Sequence, residues 1–174
     1  MRIALNIKRT LIVLVGVLIL ITGYIYFVTP KQIVYHSYQW VIDPSDDSKL
    51  VGWAENVFIG KVNSQTGNKT RIGTPETQFS VEVLDNIKGK LDGTITVNQQ
   101  GGIEQGKLYL FENDKMLEVG KTYLFITRYS KEENWHTLVP SYGDILIQDE
   151  MQKKSLMDRF INAHRTQIPF TSNQ

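Results

Sequence analysis

Residues 54–62 read Ala-Glu-Asn-Val-Phe-Ile-Gly-Lys-Val and contain an apolar run from Val57 to Val62. A short apolar run bounded by polar residues is typical of a strand that is buried on both faces. The residues before it fit one face of a short helix that begins near Ser48. The apolar positions of this helix are Leu50, Val51, Trp53 and Ala54. The sequence therefore predicts a helix followed directly by a buried strand.

The next strand has a different pattern, because residues 77–84, Thr-Gln-Phe-Ser-Val-Glu-Val-Leu, alternate between apolar and polar side chains. One face carries Phe79, Val81 and Val83, and the other carries Gln78, Ser80 and Glu82. Such alternation indicates a sheet with one face in the core and one face in water. We expect this strand to end at Lys88-Gly89.

Further segments also have strand character. Three of them are Thr94 to Asn98, which follows the Asp92-Gly93 turn, Thr122 to Thr127, and Trp135 to Val139. We expect short additional strands at Leu108 to Phe111 and at Ile145 to Ile147. Five principal strands of this length predict a mainly β domain and fit a small closed barrel of the OB type.

A second helix is predicted after the last strand. Asp149, with Gln152 three residues later, resembles a capping box, in which two side chains satisfy free backbone N–H groups at a helix start. An apolar stripe follows at helical spacing and consists of Leu156, Met157, Phe160, Ile161 and His164. This helix is expected to pack on the β domain through that stripe.

Near the start of the chain, residues 10–28 contain no charged side chain, and thirteen of these nineteen residues are Leu, Ile, Val or Phe. A helix of this length spans roughly 28 Å, close to the hydrocarbon thickness of about 30 Å. Lys8 and Arg9 precede the segment, so the positive-inside rule places the N-terminus in the cytoplasm. A cleavable signal peptide has a similar basic start, but Thr22-Gly23-Tyr24 offers no small-residue cleavage site. We therefore expect a retained, single-pass anchor.

These features divide the chain into five predicted parts. They are a cytoplasmic N-terminus at 1–9, a transmembrane helix at 10–28, a stem at 29–47, an extracytoplasmic domain at 48–164 and a polar tail at 165–174. The membrane is thus one expected partner, contacted through residues 10–28.

Charge and cysteine content exclude several classes of function. After the apolar segment, 16 Lys and Arg face 18 Asp and Glu, so the outer part lacks the basic surface that nucleic-acid binding needs. The chain has no cysteine. This excludes disulfides, zinc sites built on thiolates, and a cysteine nucleophile. An exported domain without disulfides also favours a bacterial origin.

Three strings carry a resemblance to a known family. They are residues 54–62, residues 77–84 followed by Ile87-Lys88-Gly89, and residues 117–125, Leu-Glu-Val-Gly-Lys-Thr-Tyr-Leu-Phe. Together with the order of the elements, they resemble the netrin-like domains of tissue inhibitors of metalloproteinases and their bacterial relatives, over about residues 48–148. The resemblance implies a five-stranded, OB-type barrel, and it implies no catalytic residue.

The chain departs from that family in one respect. The animal inhibitors chelate the zinc of a protease through an N-terminal cysteine, which this sequence lacks. The resemblance therefore does not imply inhibition by that mechanism, and none of its inhibitory residues is transferred to this chain.

The side chains that carry chemistry form no recognised catalytic or metal motif. His136, Ser141 and Asp144 are the one nucleophilic set in a single neighbourhood, but there is no Gly-x-Ser-x-Gly elbow and His136 lies in a predicted strand. His36 and His164 are far from His136 in sequence and lack metal-ligand spacing.

Three other groups have structural explanations that we favour. Asp43, Asp46 and Asp47 lack the glycine and distal glutamate of an EF-hand, and so predict a solvated stem rather than a calcium site. Gly101-Gly102 predicts a turn with positive φ rather than a phosphate loop. The aromatic residues at strand spacing are expected to lie mostly in the core, and they are Phe58, Tyr109, Phe111, Tyr123, Phe125 and Trp135.

These observations predict a non-enzymatic, membrane-anchored surface domain that needs no cofactor. We expect it to bind a protein or a cell-envelope component through the exposed positions of the second and third strands or through loops. The alternatives are a protease inhibitor that acts without cysteine and, third, an envelope hydrolase that depends on His136.

Overall fold

The computed structural model describes residues 2–30, 32–71 and 73–171, and for residues 2–10 and 25–28 it describes only the backbone. The chain is mainly β, because its described residues form nine strands and three helices. The expected fold class is thereby confirmed at this level. Met1 of the predicted cytoplasmic segment and residues 172–174 of the predicted tail lie outside the described residues.

The elements follow one another in the order that the sequence patterns predict, with additional strands. They are α1 (Arg2–Val28), β1 (Gln32–His36), α2 (Asp47–Trp53), β2 (Asn56–Arg71), β3 (Thr74–Lys88), β4 (Thr94–Gln100), β5 (Gly102–Glu104), β6 (Lys107–Phe111), β7 (Thr122–Ser130), β8 (Trp135–Leu138), β9 (Asp144–Ile147) and α3 (Glu150–Arg165).

The five principal strands form a closed ring. Neighbours pair in the order β2, β3, β4, β8 and β7, and β7 pairs again with β2. All of these pairs are antiparallel except β4 with β8. Strand β9 pairs with residues 122–125 of β7, and β8 pairs with residues 127–130 of the same strand. Strands β2 and β3 are much longer than predicted, because their hairpin continues past the ring through polar residues that have no apolar signal.

A second sheet contains three short strands in the order β1, β6 and β5. The sequence predicts a stem over 29–47, whereas the structure has β1 there, paired in parallel with β6. The predicted strand at Leu108 to Phe111 is part of β6, which pairs with β1 and β5 and lies in the second sheet rather than in the ring. No local period marks β1, since its strand partner, β6, lies 75 residues further along the chain.

Two apolar clusters form the core. One fills the ring and includes the stacked rings of Phe58 and Phe125, whose centroids are 5.1 Å apart. The other lies between the ring and helices α2 and α3, where Leu156 and Phe160 of the predicted stripe are buried. Ile161 of the same stripe is exposed, and Ala163 is buried in its place. The helix thus packs through a narrower face than its sequence suggests.

Side chains cap the N-termini of helices α2 and α3. Asp149 accepts a hydrogen bond from the backbone N of Gln152, as predicted, at 2.7 Å. The Gln152 side chain accepts in turn from the backbone N of Gln148, one residue before the expected partner. Asp46 is the N-cap of α2 and accepts from the backbone N of Ser48 at 2.9 Å.

Part of the predicted polar tail packs on α2. The backbone N of Ile168 donates to the carbonyl of Ser48 at 3.0 Å. Gly52 allows this approach, because a Cβ there would overlap the carbonyl oxygen of Ile168. Lys88 completes the contact by donating to the carbonyl of Val51 and to the side chain of Gln167. The domain therefore extends beyond residue 164.

Helix α1 carries apolar side chains on all sides. From Leu11 to Tyr24 every side chain is exposed, and no atom outside the helix's own neighbouring backbone lies within 4 Å of a Cβ built at Gly16 or Gly23. Among the residues that the structure describes in full, which in α1 run only from Leu11 to Tyr24, no helix is long and apolar enough to cross a membrane.

Candidate functional site

A row of polar side chains crosses the outer face of four ring strands. Gln78 pairs with Asn98, Asn98 with Thr137, and Thr137 with Arg128. Directly paired residues point to the same face of a sheet, and the chain neighbours Phe79, Val97 and Leu138 point into the core. With strands about 4.8 Å apart, this polar row is about 14 Å long.

The end of the polar row at Gln78 and Asn98 is closed. Asn98 is 1% exposed and accepts a hydrogen bond from Gln78 Nε2 at 2.7 Å. Its own Nδ2 donates to Glu76 Oε2 at 3.1 Å. Glu76 is 3% exposed, and its other oxygen lies 3.4 Å from Arg71 Nε. A buried carboxylate needs such partners, because removing it from water without them costs several kcal/mol. Gln78, predicted on a wet face, is thus buried.

An ion-pair cover lies over this closed end and consists of Lys69, Arg71 and Glu133. Lys69 Nζ lies 2.5 Å and 2.7 Å from the two carboxylate oxygens of Glu133. Arg71 Nη1 lies 3.8 Å from the same carboxylate, and Lys69 lies 5.4 Å from the ring centroid of Trp135. The Trp135 indole N–H is buried and has no hydrogen-bond partner among the described residues. The cover joins the β2–β3 hairpin to the β7–β8 loop.

The other end of the polar row opens into a cleft of about 340 Å³. Its lining comes from α2, β4, β7, β8 and the segments beside them. The lining residues are Tyr38, Trp53, Glu55, Gln100, Arg128, Tyr129, Ser130, Thr137, Leu138, Val139 and Pro140. A cavity of this volume accommodates a small ligand or one or two side chains of a partner.

The cleft contains one cationic side chain, Arg128, and one anionic side chain, Glu55. The Arg128 guanidinium lies 4.8 Å from the ring centroid of Trp53, and its Nε lies 4.0 Å from Glu55. Glu55 also accepts a hydrogen bond from the backbone N of Tyr129 at 3.1 Å. The cleft therefore presents one positive group, one negative group, an amide at Gln100 and aromatic edges. Such a surface recognises polar groups by hydrogen bonds rather than by net charge.

The structure does not bring His136, Ser141 and Asp144 together. His136 Nδ1 lies 3.3 Å from the side-chain nitrogen of Asn56, whereas Ser141 donates to the carbonyl of Glu112 at 2.8 Å. None of the three hydrogen-bonds another among the described residues. Burial lowers the pKa of His136, against the smaller opposite effect of Glu55. The imidazole is therefore neutral at pH 7.

Asp144 instead forms an acid pair with Asp114. Burial is the main cause that raises the pKa of Asp144 to about 7, and the charge of Asp114 adds to it. Burial also raises the pKa of Asp114, although the backbone N–H groups of Lys115 and Ser141 and the Gln99 side chain oppose this. The acid pair lies apart from the cleft lining.

The other sequence candidates have structural roles. Asp43 accepts from Ser45, Asp46 caps α2, and Asp47 binds Arg159 through two hydrogen bonds of 2.6 and 2.7 Å. No group of three or more metal-ligating side chains occurs among the described residues. His36 stacks on Tyr109, and His164 contacts Gln167.

The predicted turn and aromatic residues also have structural places. Gly101 and Gly102 have positive φ, as predicted, and connect β4 to β5. Phe58, Tyr123 and Phe125 lie in the core. Phe111 packs near His36, and Trp135 lies under the ion-pair cover.

Sequence reasoning missed the cleft residues Trp53, Glu55, Gln100 and Arg128 as a site. They come from three separate segments and share no spacing or motif, so only the strand register joins them. No family model matches this chain, and no curated protein matches it significantly.

Proposed function

We propose that this protein is a membrane-anchored, extracytoplasmic domain that binds a protein or cell-envelope component at the cleft and catalyses no reaction. The observation that carries the proposal is the polar row, which leads without interruption from a buried hydrogen-bond network into an open cleft. A rigid, satisfied network behind an open polar surface is what a binding site needs, because its lining is already ordered before the ligand arrives.

The strand order supports an OB-type barrel. Numbered along the chain, the five ring strands are neighbours in the order 1, 2, 3, 5, 4, and the fourth returns to the first. OB folds bind their ligands on the face of the second and third strands and at the loops beside them. Here that face carries Gln78 and Asn98, the closed end of the polar row, so we place the ligand at its open end.

The composition of α1 supports the anchor. A helix that is apolar on all sides needs burial in a core or a membrane, yet its side chains from Leu11 to Tyr24 are all exposed. Residues 10–28, with Lys8 and Arg9 before them, have the length and flanking charge of a single span with the domain outside.

The chemistry of the cleft supports binding without catalysis. Its lining includes Ser130 but no histidine, and Ser141 lies outside the lining, with its hydroxyl bound to a backbone carbonyl. Nucleophilic catalysis needs an activated nucleophile within hydrogen-bond reach of its base. This cleft offers a salt-bridged Arg128 and Glu55 instead.

The topology has a direct test. An epitope tag placed after Gln174 is expected to disappear when protease is added to intact cells, while the truncated protein remains in the membrane fraction. The reason is that the positive-inside rule places the domain outside. A tag that survives on intact cells but is digested after lysis would place the domain in the cytoplasm and contradict the proposal.

Site-specific photocross-linking tests the cleft in the membrane-bound protein. Benzoylphenylalanine in place of Tyr129 is expected to give a discrete cross-linked adduct in cells, because Tyr129 lines the cleft and is partly exposed. Adding Arg128→Ala is expected to weaken that adduct. The matched control is the same photoreactive residue in place of Leu84, which is also an exposed strand position but lies outside the cleft. An equal adduct at both positions would argue against the cleft.

A further inference from the structure

The small sheet carries an exposed apolar row that the ring does not cover. Ile33 of β1 and Ile103 of β5 both pair with Leu108 of β6, so the three side chains share one face. Ile33 and Ile103 are 48% and 50% exposed, and Tyr35, on the same face of β1, is 57% exposed. We call Ile33, Leu108, Ile103 and Tyr35 the apolar row.

The opposite face of this sheet is polar next to the turn between β5 and β6. Lys107 pairs with Glu104 there, and Glu104 accepts a hydrogen bond from Thr70. The next aromatic residues of the chain pack on the domain, because Tyr38 contacts Phe111 and Trp40 contacts Tyr142. The exposed apolar surface is therefore confined to one side of the small sheet.

We infer that the apolar row rests on the outer surface of the lipid bilayer, with Tyr35 and the two isoleucines among the lipid headgroups. This inference rests on the proposed anchor. Residues 29–31 separate the end of α1 from the start of β1. So short a connection reaches at most about 14 Å. If α1 ends at the hydrocarbon boundary, β1 begins within about 14 Å of that boundary, either inside the interfacial layer of about 6 Å or just above it.

The side chains suit that layer. Tyrosine is enriched at membrane interfaces, where its ring lies among the headgroups and its hydroxyl reaches water. Burial of apolar surface at the interface stabilises such contacts without requiring anionic lipid. The mildly acidic outer part of the chain fits a zwitterionic surface better than an anionic one. The sheet would thereby orient the cleft relative to the membrane.

Fluorescence quenching by lipid tests the inference on the full chain. The protein has no cysteine, so single cysteines can be introduced and labelled without background. We would label Tyr35→Cys, Ile103→Cys, Lys107→Cys and Ile19→Cys with an environment-sensitive fluorophore. Each variant is reconstituted in phosphatidylcholine vesicles that contain nitroxide-labelled lipid, with the nitroxide near the headgroup for positions 35, 103 and 107 and near the end of the acyl chain for position 19. Lys107 is the matched control, because it is exposed on the opposite face of the same sheet.

The expected result is severalfold stronger quenching at positions 35 and 103 than at 107. Quenching at position 19, in the middle of α1, reports the anchor separately. If position 19 is quenched and positions 35 and 103 behave like 107, the inference is wrong and the anchor stands. If position 19 is not quenched, the anchor fails and the inference with it. Labels at 35 and 103 that are shielded from aqueous iodide but not quenched by lipid would mean that protein covers the row.

Discussion

Asp144→Asn is expected to stabilise the folded protein at pH 8 by up to about 4 kcal/mol and to leave its stability at pH 4 nearly unchanged. Burial and the neighbouring Asp114 raise the pKa of Asp144 from 3.8 to about 7. Asparagine has nearly the shape of the protonated acid and carries no charge at any pH. The variant therefore removes the cost of ionising a buried carboxyl group.

The direction of the pH dependence follows from the two states. Below the unfolded-state pKa of 3.8, Asp144 is protonated in both states and costs nothing. As pH rises from about 4 to about 7, the unfolded chain ionises first, so the contribution of this group to stability is lost. Above about pH 7 the loss is complete. Wild-type stability should thus fall between pH 4 and 7, and the variant should show a flatter profile.

Urea unfolding of the full chain in detergent micelles, followed by tryptophan fluorescence at pH 4, 6 and 8, measures this effect. Asp92→Asn is the control, because Asp92 is an exposed turn residue whose bond from the backbone N of Gly93 asparagine can keep. We expect that control to change the free energy of unfolding by less than about 0.5 kcal/mol. A variant at Asp144 that is no more stable than wild type at pH 8 would show that the carboxyl is hydrated.

Asn98→Ala is expected to destabilise the protein by about 3 kcal/mol. The change removes the acceptor of Gln78 and the donor to Glu76 at once. It leaves the buried Gln78 amide with only its 3.3 Å hydrogen bond to the Glu76 carbonyl and leaves one oxygen of a buried carboxylate without a partner, and unsatisfied buried groups cost more than a hydrogen bond contributes. We expect cross-linking at the cleft to weaken as well, since Asn98 pairs directly with Thr137 of the lining.

Chemical denaturation of Asn98→Ala beside Thr96→Ala measures that cost. Thr96 lies two residues earlier on the same strand and the same face, pairs with Ser80, and is half-buried. Loss of its hydroxyl and methyl groups should cost no more than about 1 kcal/mol. Equal effects of the two substitutions would mean that the network at Asn98 contributes nothing beyond side-chain packing.

Local patterns were sufficient to predict most of the elements. Val57 to Val62, the alternation around Phe79 and Val81, and the Asp149 cap each depend on residues within one segment. A strand's period and a helix's cap arise from backbone geometry over a few residues, so they can be read without knowing the partners. The same sequence patterns also predicted which residues of β2, β3 and β7 lie in the core.

Local patterns predicted less of the sites. The buried state of Gln78 was missed, because a polar residue at an alternating position reads as exposed unless the pairing partner is known. The acid pair was missed for the same reason, since Asp114 and Asp144 lie thirty residues apart and share no motif.

The sequence by itself determined an apolar segment at 10–28, a mainly β domain of five principal strands and a capped C-terminal helix. Only the tertiary structure decided that β1 pairs with β6, that residues near Ile168 pack on Gly52, and that Gln78, Asn98, Thr137 and Arg128 form one row. The reason is physical. Elements arise from interactions between near neighbours in the chain, whereas a surface that spans several strands exists only when the register joins distant segments.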